Sequence, residues 1–282
     1  MADVAAALRA ATERLSATSD TARLDAEVLM AHALDATRSQ LLLHHMRDPE
    51  PADFARLVAR REAHEPVAYI VGSTDFYGLE LAVSPAVLIP RGDSETVIEA
   101  ARTALEGRPP KRILDLGTGS GALLIAALSL FPEARGLGID RSGEALAVAA
   151  ANAARHPQAA GTRAAFRPVD WTQDNWRADL GRFDLVLANP PYVEDDAELD
   201  TSVHAFEPAG ALFSGPDGLD DYRILVPQLP DLLTPGGLAL VEIGYTQAEA
   251  VMALGEAVNL STRLYRDLAN RPRVVAFSHV VH

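Results

Sequence analysis

The sequence has 282 residues, 48% of them hydrophobic, which is enough for a sizeable core in one large domain or in a large and a small one. It contains no cysteine, and this excludes disulfide bonds and thiolate metal ligands. The formal net charge of -14 argues against loose electrostatic binding to nucleic acid, which needs a basic surface, but is compatible with a basic protein partner.

No apolar run approaches the ~20 residues that a membrane-spanning helix needs. The first residues also lack the basic segment followed by an apolar segment that is typical of a secretion signal. We therefore expect a soluble cytoplasmic protein with no membrane partner and no direct nucleic-acid partner. We further expect it to be a monomer.

Residues 1–75 are predicted to form a small bundle of four helices, because apolar residues recur at helical spacing. Ser19 or Asp20 is predicted to cap the second helix. A bundle of this kind either binds a partner or has only a packing role, and its sequence alone does not distinguish these two roles. The apolar residues of the four helices are Val4, Leu8, Ala11 and Leu15; Leu24, Val28 and Ala31; Leu41, Leu42 and Leu43; and Phe54, Leu57 and Val58.

A β-hairpin is predicted to join this bundle to the rest of the chain. Residues 67–71 and 79–83 have strand character, and the turn-rich residues 72–78 lie between them. A segment from Leu88 to Glu95 then leads into a helix. The apolar residues of that helix are Val97, Ile98, Ala101 and Leu105.

From Lys111 onwards, strands and helices alternate, which is typical of a parallel sheet with helices on both faces. The sequence therefore predicts an α/β fold. Residues 76–282 would form a Rossmann-like, mostly parallel sheet of seven strands, joined by the hairpin to the small helical domain. The predicted strands are 112–116, 136–139, 164–169, 183–188, 238–243, 262–265 and 274–277, and the predicted helices are 122–130, 142–155 and 247–254.

A glycine-rich turn, residues 115–121, follows the first of these strands. Glycines let the backbone approach a ligand closely, and the start of the next helix offers free amide groups. Asp140 ends the next strand roughly 20 residues on, where an acidic side chain takes the hydroxyls of a ribose. Gly117, Gly119 and Ala122 also satisfy the dinucleotide pattern, so this turn alone leaves NAD binding open.

Two further strand ends carry polar or aromatic groups. Asp170 and Trp171 follow the third strand, where they could hold the amine and the face of an adenine; for this dipeptide alone, a solvated acid beside a core tryptophan is the simpler interpretation. Asn189-Pro190-Pro191-Tyr192 follows the fourth strand. The prolines restrict the residues before them and donate no hydrogen bond, which makes a stiff corner with carbonyl acceptors, one amide and one ring. This corner can accept both hydrogens of a planar NH2 group, or it can merely end the strand.

Metal and nucleophile chemistry have no comparable support in the sequence. The eight histidines show no metal-ligand spacing, and no His-Glu-x-x-His occurs. No Gly-x-Ser-x-Gly elbow lies in the required context. We therefore expect no metal.

The glycine-rich turn, Asp140 and the corner at residues 189–192 resemble those of class I S-adenosylmethionine-dependent methyltransferases that act on planar nitrogens. Further motifs narrow the resemblance to the release factor glutamine methyltransferases, the PrmC/HemK family. The similarity runs from about Glu65 to the C-terminus, and a helical N-terminal domain also fits it. These motifs are Phe76-Tyr77-Gly78, Leu88-Ile89-Pro90-Arg91, Glu207-Pro208 with Ala211-Leu212, Asp217-Gly218-Leu219 with Tyr222-Arg223, and Glu242-Ile243-Gly244 with Gln247.

The resemblance implies S-adenosylmethionine as cofactor. It implies as substrate the glutamine of the Gly-Gly-Gln loop in class I peptide chain release factors, methylated on its side-chain nitrogen. The bundle of residues 1–75 would recognise the substrate protein. The implied cofactor contacts are Gly117, Thr118, Gly119, Ser120 and Gly121 for the methionine part, Asp140 for the ribose, Asp170 and Trp171 for the adenine, and Asn189. The implied substrate clamp is Asn189, Pro190, Pro191 and Tyr192, with Asn189, Pro190 and Tyr192 as the catalytic residues.

The sequence departs from the family pattern in one segment. The family reads Pro-Arg-Pro-Glu/Asp-Thr-Glu, whereas residues 90–95 read Pro-Arg-Gly-Asp-Ser-Glu. The acid, the hydroxyl and the final glutamate persist, but Gly92 replaces the second proline. This replacement predicts a less rigid segment.

Several other functions remain open at this point. A DNA adenine-N6 methyltransferase would use the same corner on a flipped-out adenine, although the acidic charge opposes it. An NAD-dependent oxidoreductase fits the glycine-rich turn but leaves the corner without a purpose. A non-catalytic binding module would bind the cofactor without turnover. A related enzyme would methylate glutamine in another protein.

Overall fold

The computed structural model describes residues 3–280, which form two compact units. The helical unit extends to Ser73 and also includes the later segment Leu199–Glu207. The sheet unit comprises Thr74–Glu198 and the chain from Pro208 onwards. The first limit lies close to the boundary expected at residue 75, whereas no sequence signal assigned the later segment to the helical unit.

The secondary structure alternates in the sheet unit as the sequence predicts. The helices are α1 Val4–Leu15, α2 Ala22–Ala33, α3 Arg38–Gln40, α4 Phe54–Glu62, α5 Val67–Val71, α6 Glu95–Ala104, α7 Ala122–Leu130, α8 Gly143–Arg155, α9 Thr201–Phe206, α10 Asp220–Leu225, α11 Leu229–Leu232 and α12 Ala248–Glu256. The strands are β1 Ser73–Phe76, β2 Leu79–Ala82, β3 Arg112–Leu116, β4 Arg135–Asp140, β5 Ala164–Pro168, β6 Phe183–Ala188, β7 Leu233–Glu242, β8 Leu260–Arg266 and β9 Pro272–His279.

In the helical unit, α1 and α4 bury the faces that their sequences predict. Asp3 caps α1 by accepting a hydrogen bond from the Ala6 N–H at 2.8 Å, which satisfies one of the free amides of the first turn. The buried residues that confirm the prediction are Val4, Leu8, Ala11 and Leu15 in α1 and Phe54, Leu57 and Val58 in α4.

The predicted start of α2 is wrong. The residue at the N-cap is Thr21, rather than Ser19 or Asp20, and its side chain makes no capping hydrogen bond. The Ser19 hydroxyl instead donates to the Asp25 carboxylate at 2.7 Å, and the Arg61 guanidinium donates to the same oxygen at 2.7 Å. Asp25 is buried, so this ion pair fixes one side of α2 inside the unit.

The predicted apolar face of α2 is therefore only partly right. Leu24 is 42% exposed and Val28 is partly buried, whereas Ala31 is buried as predicted. With Asp25 held inside, the helix presents a neighbouring set of apolar residues to the core. These residues are Ala22, Ala26, Leu29 and Met30.

The three consecutive leucines do not share one environment. Thr37 caps α3 with a capping box, and a single π-helical segment, Leu41–His45, follows. Leu41 is buried, but Leu43 is 76% exposed. Adjacent helical residues point in different directions, so a run of three leucines cannot lie on one face.

Residues 67–71, predicted as a strand, are instead helix α5. Pro66 precedes the helix, and Gly72 ends it with a φ of 80°, a left-handed conformation that favours glycine. A hairpin is present, but its first strand, β1, lies within the residues predicted as the turn; β1 and β2 pair across a turn at Tyr77 and Gly78, whose φ values are 50° and 74°. The five-residue apolar run fits a helix or a strand, and the flanking proline and glycine decide for the helix.

The predicted seven-stranded sheet is confirmed. Its strand order is β5-β4-β3-β6-β7-β9-β8. All neighbours from β5 to β7 are parallel, and β9 is antiparallel to both β7 and β8. The chain leaves β3 in one direction through β4 and β5 and continues on the other side of β3 with β6. The strand order thus reverses between β3 and β6, where ligands bind in open α/β sheets.

Helices cover both faces of this sheet. Alternate residues of each strand enter different apolar clusters; Ile113 and Leu185 pack with α7, while Leu114 and Val186 pack on the opposite face with α10. α7 is apolar on all sides and buried from Ala122 to Leu128, as expected for a helix enclosed by protein. Within residues 3–280, no helix is both long and apolar enough to cross a membrane.

Candidate functional site

A cavity of about 360 Å³ lies at the carboxyl ends of β3, β4, β5 and β6 in the sheet unit. It brings together most of the residues that the sequence singled out. Gly121, Pro190 and Tyr192 are the predicted site residues that do not line it. Those that do are Gly117, Thr118, Gly119, Ser120, Asp140, Asp170, Trp171, Asn189 and Pro191.

The glycine-rich turn forms the floor of the cavity. Its main chain is tied to β4, because the Thr118 N–H donates to the Ile139 carbonyl at 2.9 Å. Gly117 has a φ of 70°, and a Cβ placed there would lie 2.9 Å from Cη2 of Trp171. A glycine is therefore required at this position both by the backbone and by the indole that packs over it.

Asp140 is held with its carboxylate facing the turn. Its Oδ2 accepts the Gly119 N–H at 3.0 Å, and its Oδ1 accepts the Ser142 N–H at 2.9 Å. Each oxygen uses one lone pair in this way and retains another. The side chain is thus fixed in orientation and still able to accept two hydroxyl groups.

Asp170 and Trp171 occupy the next strand end. Hydrogen bonds from the hydroxyl and the N–H of Thr172 lower the pKa of Asp170, which keeps it charged. Trp171 Nε1–H donates to Asp221 Oδ1 at 2.7 Å, and the Ser214 hydroxyl donates to Asp221 Oδ2 at 2.8 Å. The indole is therefore locked, with part of its surface in the cavity wall.

Asp115 is a cavity residue that the sequence reasoning did not select. It is 1% exposed; Thr118 Oγ1 donates to its Oδ2 at 2.6 Å, while its Oδ1 has no hydrogen-bond partner among the described residues. Burial raises the pKa of Asp115 to about 7, with a smaller contribution from the charge of Asp140 and against the Thr118 hydrogen bond. An acid inside an otherwise apolar strand was the signal available in the sequence.

The corner after β6 is held by contacts from distant parts of the chain. Asn189 Nδ2 donates to Ser94 Oγ at 3.3 Å. Tyr192 is fixed through its main chain, because its N–H donates to the Leu212 carbonyl at 3.1 Å and its carbonyl accepts from Gln247 Nε2 at 3.0 Å. These contacts give the separate motifs that contain Leu212 and Gln247 a common purpose, which is to hold the corner.

The charge of the lining selects the kind of ligand. Five acids, Asp115, Asp140, Glu144, Asp170 and Asp221, line the cavity against one basic residue, Arg141. Such a lining favours a cationic ligand and repels the pyrophosphate of a dinucleotide. The predicted alternative of an NAD enzyme is therefore disfavoured by electrostatics. Within the described chain, no group of three or more His, Asp or Glu side chains is placed to hold a metal.

A sheet with this strand order, a ligand cavity over the glycine-rich turn and a polar corner after β6 define a class I S-adenosylmethionine-dependent methyltransferase. Family comparisons agree with this assignment. A family model for the PrmC N-terminal domain matches residues 6–72, and one for a methyltransferase domain matches residues 108–269. A solved methyltransferase from Pyrococcus furiosus shares the fold, with a TM-score of 0.50 and 16% identity over 80% of this chain and 98% of that one.

The chain belongs to the release factor glutamine methyltransferase family. The release factor glutamine methyltransferase of Xylella fastidiosa (strain 9a5c) is 40% identical over 275 residues, which is 95% of this chain and 95% of the relative. That of Cereibacter sphaeroides is 42% identical over 278 residues, or 96% of each chain. Membership confirms the predicted resemblance and S-adenosylmethionine as the methyl donor.

Proposed function

We propose that this chain transfers a methyl group from S-adenosylmethionine to the side-chain amide nitrogen of the glutamine in the Gly-Gly-Gln motif of class I peptide chain release factors. The orientation of the Asn189 amide at the cavity carries the proposal. Its Nδ2 is engaged by Ser94, so its Oδ1 remains to accept an N–H from a substrate. The names of the relatives support the same acceptor.

The cavity residues fit S-adenosylmethionine in shape and charge. Asp140 retains acceptors for two ribose hydroxyls, and Trp171 offers a flat surface next to Gly117 for a base. The acidic lining suits a ligand that carries a sulfonium and an ammonium group. The unpartnered Oδ1 of Asp115 is an acceptor for such a positive group. When bound, the cofactor supplies an electrophilic methyl group on a positively charged sulfur.

The protein contributes to the reaction mainly by orienting the two reactants. An amide nitrogen is a poor nucleophile because its lone pair is delocalised into the carbonyl. We infer that Asn189 Oδ1 and the Pro190 carbonyl each accept one N–H of the substrate amide, which turns the lone pair out of the plane. Both acceptors also stabilise the positive charge that grows on nitrogen during transfer. Tyr192, whose ring does not line the cavity, would confine the amide by holding the corner in place, and alignment of the reactants supplies much of the remaining acceleration.

The helical unit is proposed to recognise the substrate protein. The match of residues 6–72 to the N-terminal domain of this family supports a role specific to the family rather than to methyltransferases in general. Because the proposed substrate is a translation factor, we place the reaction in the cytoplasm. A single chain supplies every proposed site residue, so we propose that a monomer is active.

A methyl-transfer assay with labelled S-adenosylmethionine tests the function. A purified class I release factor, the same factor with its Gly-Gly-Gln glutamine replaced, and unmethylated duplex DNA would be offered separately, followed by peptide mass mapping. We expect one methyl group on the Gly-Gly-Gln peptide and none on the replaced factor. Label in DNA would instead make the corner an adenine clamp. Absence of label from all three substrates would refute the proposed acceptor.

A further inference from the structure

Glu242 is a buried acid that the mechanism above does not use. It is the last residue of β7 and is 1% exposed. Tyr192 OH lies 3.5 Å from its Oε1, while its Oε2 has no partner of normal hydrogen-bond geometry among the described residues. A buried carboxyl with an incompletely satisfied oxygen is destabilising, so packing alone gives no reason for an acid here.

The acid lies next to the residue that contacts Asn189. The Ser94 hydroxyl interacts with the Glu242 carboxyl and favours its charged form. Ser94 is itself 4% exposed, and its Oγ accepts from Asn189 Nδ2 at 3.3 Å. Asn189, Ser94 and Glu242 are therefore successive neighbours from the cavity into the interior, and we call these three residues the relay.

The segment that carries Ser94 is anchored on the same side. Arg273 on β9 forms an ion pair with Asp93 at 2.9 Å, and a second oxygen, from Asp267, lies 3.5 Å from the same nitrogen. Arg273 is buried, and its charge also acts on Glu242. This anchor holds Asp93 and its neighbour Ser94 at the corner although Gly92 replaces the family's proline.

The donors and acceptors of the relay fix its direction. An ionised carboxylate only accepts hydrogen bonds, so a charged Glu242 favours the orientation in which the single Ser94 proton points towards it. Ser94 Oγ can then only accept from Asn189, which requires the NH2 group of Asn189 to face inwards. The Asn189 oxygen consequently faces outwards.

We propose that Glu242 is a positioning residue, which acts through Ser94 to make Asn189 present its Oδ1, rather than its NH2 group, to the substrate amide. The inference deepens the proposed function and rests on it. A neutral group at position 242 removes the constraint, because it can donate to Ser94 and leave the Ser94 proton free to bond the Asn189 oxygen. Asn189 then presents its NH2 group, a hydrogen-bond donor, to the substrate amide, where an acceptor is needed.

The relay should make the rate of methyl transfer depend on pH. Burial raises the pKa of Glu242 to about 7, against the opposing effects of the Ser94 hydrogen bond and the Arg273 charge. The other charged or titratable groups facing it are Asp93, Tyr192 and Tyr222, and the pKa values of both tyrosines are raised, so they stay neutral. Protonation of Glu242 below its pKa should therefore weaken the clamp in the wild type.

The experiment measures single-turnover methyl transfer to a class I release factor, together with cofactor affinity and thermal unfolding. The variants are Glu242→Gln, Ser94→Ala, their combination, and Ser94→Thr, which keeps the hydroxyl and restores the family residue. Asp184→Asn is the matched acid-to-amide control. Asp184 accepts the N–H groups of Lys111 and Arg112 at 2.9 and 3.0 Å, at the opposite end of β6 from the corner.

We expect Glu242→Gln and Ser94→Ala each to slow transfer about 10- to 100-fold, the range for a small misplacement of a reacting group. The combined variant should lose no more than the slower single one, since both interrupt one relay. Asp184→Asn should transfer like the wild type, Ser94→Thr should recover most of the rate that Ser94→Ala loses, and all variants should bind cofactor normally. The ratio of wild-type to Glu242→Gln rates should fall as the pH is lowered through about 7.

Three results would overturn the inference: an unchanged rate in Glu242→Gln, multiplicative losses in the combined variant, or a rate ratio that does not change with pH. If Glu242→Gln does not fold, Ser94→Ala and its recovery in Ser94→Thr decide the question. A wild-type enzyme that labels no release factor refutes the proposed function itself. A wild-type enzyme that labels the factor while both single variants remain fully active refutes only the relay.

Discussion

Replacing Asp140 by asparagine tests the proposed ribose contact with little change of shape. The Asp140 carboxylate accepts two main-chain N–H groups, from Gly119 at 3.0 Å and from Ser142 at 2.9 Å. An asparagine has one acceptor oxygen, so its NH2 group must face one of these donors or turn away. Either choice removes a charged acceptor from the ribose hydroxyls.

The magnitude follows from the loss of one such contact. A hydrogen bond to a charged group contributes about 1.5–3 kcal/mol, and each 1.4 kcal/mol is about a factor of ten, so cofactor affinity should fall about 10- to 150-fold. Isothermal titration of S-adenosylmethionine into wild type and Asp140→Asn measures this directly. The single-turnover rate at saturating cofactor should fall much less than the affinity.

Thermal unfolding and a second acid-to-amide change provide the controls. Asp184→Asn changes a carboxylate that holds the main chain of Lys111 and Arg112 and the hydroxyl of Thr234 at the far end of β6, so it should leave cofactor affinity unchanged. If the affinity of folded Asp140→Asn stays within about threefold of the wild type, the ribose assignment is wrong, because less than 1 kcal/mol is then involved.

The remaining predictions concern three positions in the same cavity. Asn189→Ala should slow methyl transfer at least about 100-fold, like loss of an oxyanion-hole donor, and leave cofactor affinity within about threefold; equal loss of both would move Asn189 to a cofactor role. Gly117→Ala should destabilise the fold by about 1–2 kcal/mol from its left-handed backbone and weaken cofactor binding by displacing Trp171. Gly107→Ala, at a φ of 73° with open space around it, is the control that incurs only the backbone strain, and equal cofactor affinities in the two variants would contradict the packing argument. Burial raises the pKa of Asp115 from 3.8 to about 7 in the folded state. The contribution of Asp115 to the free energy of unfolding, relative to Asp115→Asn, is therefore full below pH 3.8 and is lost as the pH rises through about 7. Urea unfolding of both proteins below and above this window measures the contribution, and a stability difference that does not change with pH would contradict the assignment.

Local pattern was enough to predict most of the sheet unit. The run from Ala122 to Leu130 is helix α7 at both predicted limits, because a glycine-rich turn precedes it and an unbroken apolar sequence fills it. The carboxyl ends of the seven strands were predicted to within two residues, but β7 begins at Leu233 rather than at residue 238, because Pro235, Gly236 and Gly237 were interpreted as a turn and instead lie within the strand. Placing Asp140 and Asn189 at one edge then required only that the strands be parallel.

Short and amphipathic segments were less readable. Residues 67–71 form a helix because Pro66 and Gly72 bound them, although their apolar run also fits a strand. The face of α2 is set by the ion pair between Asp25 and Arg61, which lie far apart in the sequence. Hydrophobic periodicity identifies the most apolar face of a helix, but it does not show that a charged residue such as Asp25 has a buried partner.

The sequence by itself determined the class of fold, the cofactor turn and the amide corner, because these depend on local backbone chemistry and on the order of strands and helices. Only the tertiary structure decided what surrounds the corner. Ser94 precedes α6, Asn189 follows β6 and Glu242 ends β7, and they meet because the sheet aligns the ends of β6 and β7 and β9 anchors the segment before α6. Contacts between residues so distant in the chain depend on strand register and packing, which no local pattern encodes.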